Sequence, residues 1–217
     1  MKRILHHPDD ATLMSYSAGS LGEALSAVVA THIAMCPHCS AEVRRMDRVG
    51  AAIFDALAPA ALSKSEPRSS AASRASAGSA SAASDDGRQG DVPLPLRRLV
   101  GPELDRVPWR RIGFGVWHYP LPLSDGAKGD LRLLKVSPGQ AMPEHGHGGA
   151  ELTLLLRGSY RDEVGTFRRG DVADLDDEIE HRPVADVDEG CICLIASEEK
   201  ARFRGLVARL FQPLTGF

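Results

Sequence analysis

The chain has 217 residues, which is long enough for two small domains or for one larger domain. Its hydrophobic fraction of 43% and charged fraction of 25% are those of an ordinary globular protein. A net charge of -3 offers no basic surface to nucleic acid, and no apolar run approaches the roughly 20 residues that a membrane helix needs. The N-terminus has no apolar signal-peptide core, so the sequence predicts a cytoplasmic protein that contacts neither nucleic acid nor membrane directly.

Residues 1–62 have the pattern of a small helical domain. A proline and two acids mark the first turn of one helix, and a glycine follows its last turn. Ser20 and Glu23 have the spacing of a capping box, which predicts that a second helix opens there. Beyond Pro37, apolar residues recur at helical spacing until Pro59, which predicts a further helical stretch.

The remainder of the chain divides into a linker and a strand-rich domain. Residues 63–92 are rich in Ser and Ala and nearly lack large apolar side chains, which predicts a flexible linker because little burial offsets the entropy of ordering. Residues 93–217 change to short strands separated by Gly, Pro and Asp turns, which favours an antiparallel barrel. The expected strands include residues 113–119, 131–136, 152–156 and 190–196. The predicted fold class is therefore α plus all-β, in two domains.

Three residues of the helical region have the spacing of metal ligands. His32 and Cys36 are four apart, so a helix places both side chains on one face, and Cys39 follows in the turn that begins at Pro37. Two thiolates and an imidazole fit zinc, which takes four tetrahedral nitrogen or sulfur ligands in a structural site. The sequence therefore predicts a structural zinc site that stabilises a module with a small apolar core.

Either His6 or His7, at the start of the first helix, could supply the fourth ligand of this site. His38 is a competitor, although its position between the two cysteines points it less naturally at the same ion. The cysteines have two other interpretations. They could form a thioredoxin-like redox pair, but no βαβ pattern surrounds them, or they could be inert buried thiols.

A second metal-ligand pattern lies in the strand-rich region. His145 and His147 alternate on a strand and so face the same side, and Glu151 follows on a paired strand. Together with Gly139 and Gly158 these residues satisfy G-x5-H-x-H-x3-E-x6-G, the first cupin motif, without a mismatch. An imidazole pair with a carboxylate in a barrel mouth suits a divalent metal, either zinc or, alternatively, iron or manganese.

The second cupin motif, G-x5-P-x-G-x2-H-x3-N, is kept only in part. Gly170 and His181 keep its spacing, while Asp176, Glu178 and Ala185 replace its proline, glycine and asparagine. The histidine that binds metal is thus present and the turn chemistry has changed. The expected ligand set of the cupin is His145, His147, Glu151 and His181.

Cys191 and Cys193 lie two apart in a fully apolar run. On a strand both side chains face one way, and an apolar run of this kind indicates burial on both faces. The pair is either two small buried hydrophobic residues or a redox-active pair.

The N-terminal region resembles the zinc-binding domain of the ChrR family of anti-sigma factors, in the His6–His7 pair, residues 18–21 and residues 30–39. The order of the two domains, with a cupin after the helical region, also resembles that family. The resemblance implies that His7 completes the zinc site. It implies a three-helix zinc bundle and a fourth helix, near residues 49–62, that clamp an extracytoplasmic-function (group IV) sigma factor in a 1:1 complex and block its binding to core RNA polymerase. It further implies release on oxidative stress, by singlet oxygen or organic oxidants, sensed through the cupin.

An enzymatic hypothesis competes with this regulatory one. A cupin centre of three histidines and one glutamate also resembles that of metal-dependent dioxygenases, with the helical region as an accessory domain. A free-standing dioxygenase does not need a linker to a helical zinc module, so the domain order favours regulation and no catalytic residues are assigned.

Overall fold

The computed structural model describes residues 3–60, 90–146, 148–177 and 179–199, and the backbone of residues 202–203. The expected ligand His147 and the altered motif position Glu178 lie outside the described residues. So does the predicted linker as far as residue 89. The last positions of the predicted linker are described. Asp91 accepts a hydrogen bond from the backbone N–H of Leu104, and Val92 is buried, so residues 90–92 belong to the packed C-terminal region.

The N-terminal region holds three helices, α1 (Asp10–Ser17), α2 (Glu23–Ile33) and α3 (Pro37–Asp55). Asp9 caps α1 by accepting a hydrogen bond from the backbone N–H of Thr12. The glycine expected to end this helix, Gly19, has a φ of 69°, a left-handed conformation that glycine adopts at no steric cost. Pro37 occupies the first position of α3, where its missing N–H leaves no helical bond unmade.

The capping box predicted for α2 is wrong. The N-cap is Gly22, and the hydroxyl of Ser20 instead donates to the carbonyl of Ser15. The carboxylate of Glu23 accepts hydrogen bonds from the backbone N–H and the hydroxyl of Ser124, at 3.0 and 3.1 Å. A contact between the helical region and the barrel has therefore taken the place of the local cap.

The segment predicted as a separate fourth helix, residues 49–62, differs from the prediction where it is described. α3 continues without a break to Asp55, and residues 56–60 are not helical. Gly50 costs a helix about 1 kcal/mol relative to Ala and does not end it by itself, whereas Pro59 disfavours continuation beyond the end of α3. The last turns of α3 thus occupy the first half of the segment, and residues 61–62 lie outside the described part of the chain.

The C-terminal region opens with a helix that the strand pattern did not predict, α4 (Leu94–Val100). Ten strands follow, and the four segments expected from the sequence correspond to β2, β3, β5 and β9. The strands are β1 (Arg110–Gly113), β2 (Val116–Pro120), β3 (Asp130–Val136), β4 (His145–Gly146), β5 (Glu151–Arg161), β6 (Thr166–Arg168), β7 (Val172–Leu175), β8 (Val184–Ala185), β9 (Cys191–Ser197) and β10 (Arg202–Phe203).

The strands form an antiparallel sheet in the order β1-β2-β3-β9-β5-β6, with β7 and β8 also paired to β5. The long strand β5 pairs with β7 along its first half and with β6 and β8 along its second half. Besides this sheet the barrel has shorter pairings, namely β4 with β10 and single bridges at Ala141–Val184 and His145–His181. Within the described strands the ladder does not close into a ring, and the architecture is that of a cupin.

Both faces of the central strands are buried, in two apolar clusters. On β9, Ile192 and Leu194 face outward into a cluster shared with the helices, whereas Cys191 and Cys193 face inward into the barrel. α2 lies against the outer face, where it contacts β3, β5 and β9 and fully buries Val28. This two-sided burial explains the continuous apolar runs of the sequence, and it makes the helical region and the barrel share one core.

Candidate metal centres

Four side chains of the N-terminal region converge on one point: His7, His32, Cys36 and Cys39. The Sγ of Cys39 lies 3.3 Å from Nε2 of His32 and 3.3 Å from Nδ1 of His7. The Sγ of Cys36 lies 3.5 Å from the same His7 nitrogen. His32 stands in the last turn of α2, and the cysteines flank the first turn of α3. The chain entering α1 adds His7 from a third direction.

These distances fit a tetrahedral zinc ion. Zinc–sulfur bonds of about 2.3 Å and zinc–nitrogen bonds of about 2.0–2.1 Å place adjacent ligand atoms about 3.6 Å apart. All four candidate ligand atoms lie within 4.8 Å of one another, and three of the four residues are buried. The donor set fills four positions, so the arrangement is that of a closed, structural site.

The imidazole of His32 is prepared as a metal ligand by its surroundings. Its Nδ1 lies 2.9 Å from the carbonyl oxygen of Gly170, and a carbonyl only accepts, so Nδ1 carries the proton and Nε2 keeps its lone pair. Burial lowers the pKa of His32 to about 4, and the backbone hydrogen bond to Gly170 offsets only part of that shift. The ring is therefore neutral at pH 7, with the lone pair directed at the cluster.

The thiols need a cation to become ligands. Burial and the neighbouring Cys36 raise the pKa of Cys39 to about 12, so the thiol keeps its proton at neutral pH when it has only its protein neighbours. A bound divalent metal reverses this preference by replacing the proton on sulfur. Binding at this centre is accordingly coupled to proton release.

The two competing histidines lie outside the cluster. The ring of His6 packs against Phe167, with ring centroids 4.5 Å apart. His38 is exposed and approaches the ring of His7 edge-on at 5.1 Å. The structure thus brings His7, not His6 or His38, together with His32 and the cysteines.

The second cluster consists of His145, Glu151 and His181. A backbone bridge pairs residues 145 and 181, and their Nε2 atoms lie 3.2 Å apart. Glu151 begins β5, is 7% exposed, and accepts a hydrogen bond from the hydroxyl of Thr153 at 3.3 Å. The expected fourth ligand, His147, follows His145 by two positions.

Neighbouring acceptors fix the orientation of both imidazoles. Nδ1 of His181 donates to the carboxylate of Asp162 at 2.8 Å, and Nδ1 of His145 donates to the carbonyl of Pro143 at 2.9 Å. Each Nε2 therefore offers a lone pair toward the other and toward Glu151. Two nitrogen acceptors and a carboxylate at this separation suit a divalent cation.

Asp162 is a functional residue that the sequence patterns missed. It lies in the turn between β5 and β6, and its side chain is fully buried. Burial alone raises the pKa of this carboxyl. Hydrogen bonds from His181 and from the backbone of Gly165 and Val164 outweigh burial and hold the pKa below its usual range. The carboxylate is thus ionised at neutral pH and can hold the His181 proton. A short turn rich in charged residues carries no signal of this role.

The cupin cluster borders a cavity of about 230 Å³ inside the barrel. Cys191 and Cys193 line it as well, and both are buried free thiols. The hydrogen bond that the Cys193 thiol donates to Cys191, together with burial, raises the pKa of Cys193 well above its ordinary value. The hydroxyl of Tyr160, also in the cavity wall, has no hydrogen-bond partner among the described residues. The two thiols therefore lie near the metal-ligand cluster, and the raised pKa keeps Cys193 in its thiol form.

The last turns of α3 present an apolar surface. Ile53 is 61% exposed and Phe54 is 75% exposed, and Val49 and Leu57 are exposed to a similar degree. Large side chains of this kind in a contiguous group mark interaction sites more often than isolated ones do. Among the described helices, none is both long and apolar enough to cross a bilayer by itself, and α2 with α3 reaches that length only across a bend of 119°.

The fold and the two clusters define the class, a cupin protein with a helical metal module at its N-terminus. Residues 99–201 match the family model of the ChrR cupin-like domain. The chain is 43% identical, over 97% of both chains, to the anti-sigma-E factor ChrR of Cereibacter sphaeroides. It thus belongs to the ChrR family of anti-sigma factors.

One solved structure shows the same relationship. In the crystal structure of Rhodobacter sphaeroides SigE in complex with the anti-sigma ChrR, the matched chain is 42% identical with a TM-score of 0.74. The match covers 90% of this chain and all of that one. An RmlC-like cupin protein from Ralstonia eutropha is 20% identical over 48% of this chain and 71% of its own, with a TM-score of 0.41, a likeness too slight to bear on function.

Proposed function

We propose that this chain is an anti-sigma factor that binds an extracytoplasmic-function sigma factor one to one and keeps it from core RNA polymerase. The observation that carries the proposal is the 43% identity, over 97% of both chains, to a protein named as an anti-sigma-E factor. The similar solved chain is in a complex with SigE, which supports a sigma factor as the partner here. Because sigma factors and core polymerase work in the cytoplasm, the proposal places the chain there.

The proposed contact surface is the exposed end of α3. Phe54 and Ile53 project from this helix with most of their surface exposed, and burial against a partner would remove that apolar area from water. The N-terminal centre is proposed to hold zinc, which fixes the angle between α2 and α3. The surface offered to the sigma factor then depends on the metal through the orientation of α3.

Release on oxidative stress is proposed to begin in the cupin. The cluster of His145, Glu151 and His181 borders a cavity with room for a small oxidant, whereas the N-terminal ligands are packed between helices and barrel. The proposed cupin metal is zinc, with iron or manganese as alternatives and His147 as the fourth ligand. Singlet oxygen or an organic oxidant that reaches this centre would alter the barrel against which α2 packs.

Co-expression tests the sigma-factor proposal. The tagged chain, produced together with each extracytoplasmic-function sigma factor of its own genome, is expected to co-purify with one of them at a 1:1 ratio. Phe54→Asp should lower the yield of the complex, and Val187→Asp is the matched control, since Val187 is equally exposed on a barrel turn. If the chain purifies without a bound sigma factor in every one of these co-expressions, the proposal is overturned.

A dioxygenase is the second candidate, favoured by the cavity beside the His/Glu cluster. Such an enzyme would consume O₂ in the presence of a small organic substrate, and Glu151→Gln would abolish that consumption. Oxygen-electrode measurements on the metal-loaded chain, with and without its sigma factor, distinguish the two candidates. The regulator has no sustained turnover.

A further inference from the structure

The barrel turn that joins β6 to β7 reaches into the surroundings of the N-terminal centre. The carbonyl of Gly170 in this turn accepts the Nδ1 proton of His32, across 138 residues of sequence. Gly170 has a φ of 95°, a conformation that other residues adopt only with strain. The barrel, not the helical module, therefore fixes the orientation of one candidate ligand.

The next residue of the turn, Asp171, holds the segment that carries a second ligand. One carboxylate oxygen accepts hydrogen bonds from the backbone N–H groups of Leu5 and His6, at 2.7 and 3.1 Å. The other accepts from the backbone N–H of Arg168, at 2.8 Å. The carbonyl of His6 in turn accepts from the backbone N–H of Val172 at 3.1 Å. Residues 5 and 6 are thus fixed to the barrel immediately before His7.

Burial gives these contacts their weight. Asp171 is 3% exposed, and a buried carboxylate is tolerated only when its oxygens are hydrogen-bonded. Its three N–H donors come from two directions, one within the barrel turn and two from the N-terminal segment. Removing the carboxylate would leave those donors unsatisfied and would weaken the attachment of the N-terminal segment to the barrel, with little change to the apolar core.

We infer that the Gly170–Asp171 turn is a positioning element of the N-terminal metal centre, so that the barrel holds two of its four ligands, His32 directly and His7 through the chain before it. The inference rests on the metal site proposed above. It adds that the barrel orients ligands that all belong to the N-terminal region. β7, which begins at Val172 beside this turn, ends at Leu175 opposite Glu151, so one short strand joins the two centres.

The test measures how fast the full-length chain loses its N-terminal metal. Cobalt(II) replaces zinc, and the thiolate-to-cobalt charge-transfer band reports this centre alone, because the cupin ligands contain no sulfur. Asp171→Ala should speed loss of the band to a chelator about tenfold, as expected when a group that orients metal ligands is removed. Asp186→Ala is the control, since Asp186 also accepts backbone N–H groups in a barrel turn, but a different one.

A second pair of variants leaves the barrel intact. Leu5→Pro removes the N–H that Asp171 accepts, whereas Leu5→Ala keeps it, and Leu5 is 60% exposed. Faster loss of the band in Leu5→Pro, with wild-type loss in Leu5→Ala, is the expected result even if Asp171→Ala does not fold. Wild-type rates in Leu5→Pro, or equal acceleration in Leu5→Ala, would overturn the inference. Absence of the band from the wild-type chain would overturn the metal site itself and the inference with it.

Discussion

The two candidate centres of this protein are built for different tasks. The N-terminal cluster of His7, His32, Cys36 and Cys39 supplies four ligands, two of them sulfur, and lies where helices and barrel meet. The cupin cluster has nitrogen and oxygen ligands and borders a cavity. A closed sulfur-rich site holds a fold together, and a site beside a cavity can meet a small molecule. The proposed function accordingly assigns the binding surface to the first centre and the signal to the second.

Removing a thiolate ligand should have the largest effect. Cys36→Ser is expected to lose the N-terminal metal and to disorder α1 and α3, because a structural zinc contributes on the order of 10 kcal/mol of apparent binding free energy. Metal content by elemental analysis and helicity by circular dichroism measure this. His38→Ala is the control, since His38 is exposed and lies outside the cluster. A Cys36→Ser chain with full helicity and undiminished metal would contradict a structural role.

Removing a cupin ligand should have a smaller and separate effect. Glu151→Gln is expected to lose the cupin metal while the N-terminal centre and the helices remain. The loss of stability should be about 3 kcal/mol, the value that corresponds to a ligand present at one hundred times its dissociation constant. Elemental analysis and thermal unfolding test it, with the exposed Glu189→Gln as control. Loss of both metals together would show that the two centres are not separate.

Changing the carboxylate behind His181 should weaken the cupin centre without removing it. Asp162→Asn takes away the charge that holds the Nδ1 proton of His181 and should lower metal affinity about tenfold. Competition with a chelator of known affinity measures the change. Affinity equal to that of the wild type would mean that the Asp162 contact does not orient the ligand.

Thiol reactivity should show the smallest effect, but it compares the two regions directly. All four cysteines are buried and free of disulfides. The zinc-loaded native chain should react slowly at every thiol, because metal protects Cys36 and Cys39 and burial shields Cys191 and Cys193. The hydrogen bond to Cys191, together with burial, also keeps the pKa of Cys193 high. A chelator should expose Cys36 and Cys39, and denaturant should expose Cys191 and Cys193 as well. Rapid reaction of Cys191 or Cys193 in the native chain would support the redox interpretation instead.

Part of each candidate cluster was predictable from the sequence, because several of its residues lie close together in the chain. His32, Cys36 and Cys39 lie within a few residues of one another, and His145 and Glu151 lie within one motif. The helix face expected to carry both His32 and Cys36 is wrong, because α2 ends at Ile33 and Cys36 caps α3. The groups that orient these ligands were not predictable. Gly170 meets His32 across 138 residues, and only the folded chain shows that contact.

The docking of α2 onto the barrel was equally invisible in the sequence. An apolar helix face indicates burial but does not say against what, and the small-bundle interpretation was the simpler one. The error at the Ser20 capping box has the same origin, because Glu23 meets Ser124 of the barrel rather than its own helix end. Local patterns located the elements, and contacts between regions decided how their polar groups are used.

A sigma-dependent reporter tests the central claim, that one centre shapes inhibition and the other receives the signal. Cells would carry the wild-type chain, His32→Ala or Glu151→Gln, with and without singlet oxygen. With the wild-type chain, the account predicts a reporter that is silent until singlet oxygen activates it. With His32→Ala the reporter should be active under both conditions, and with Glu151→Gln it should stay silent under both. A Glu151→Gln chain that still releases its sigma factor on oxidation would contradict it and would place the sensor at Cys36 and Cys39.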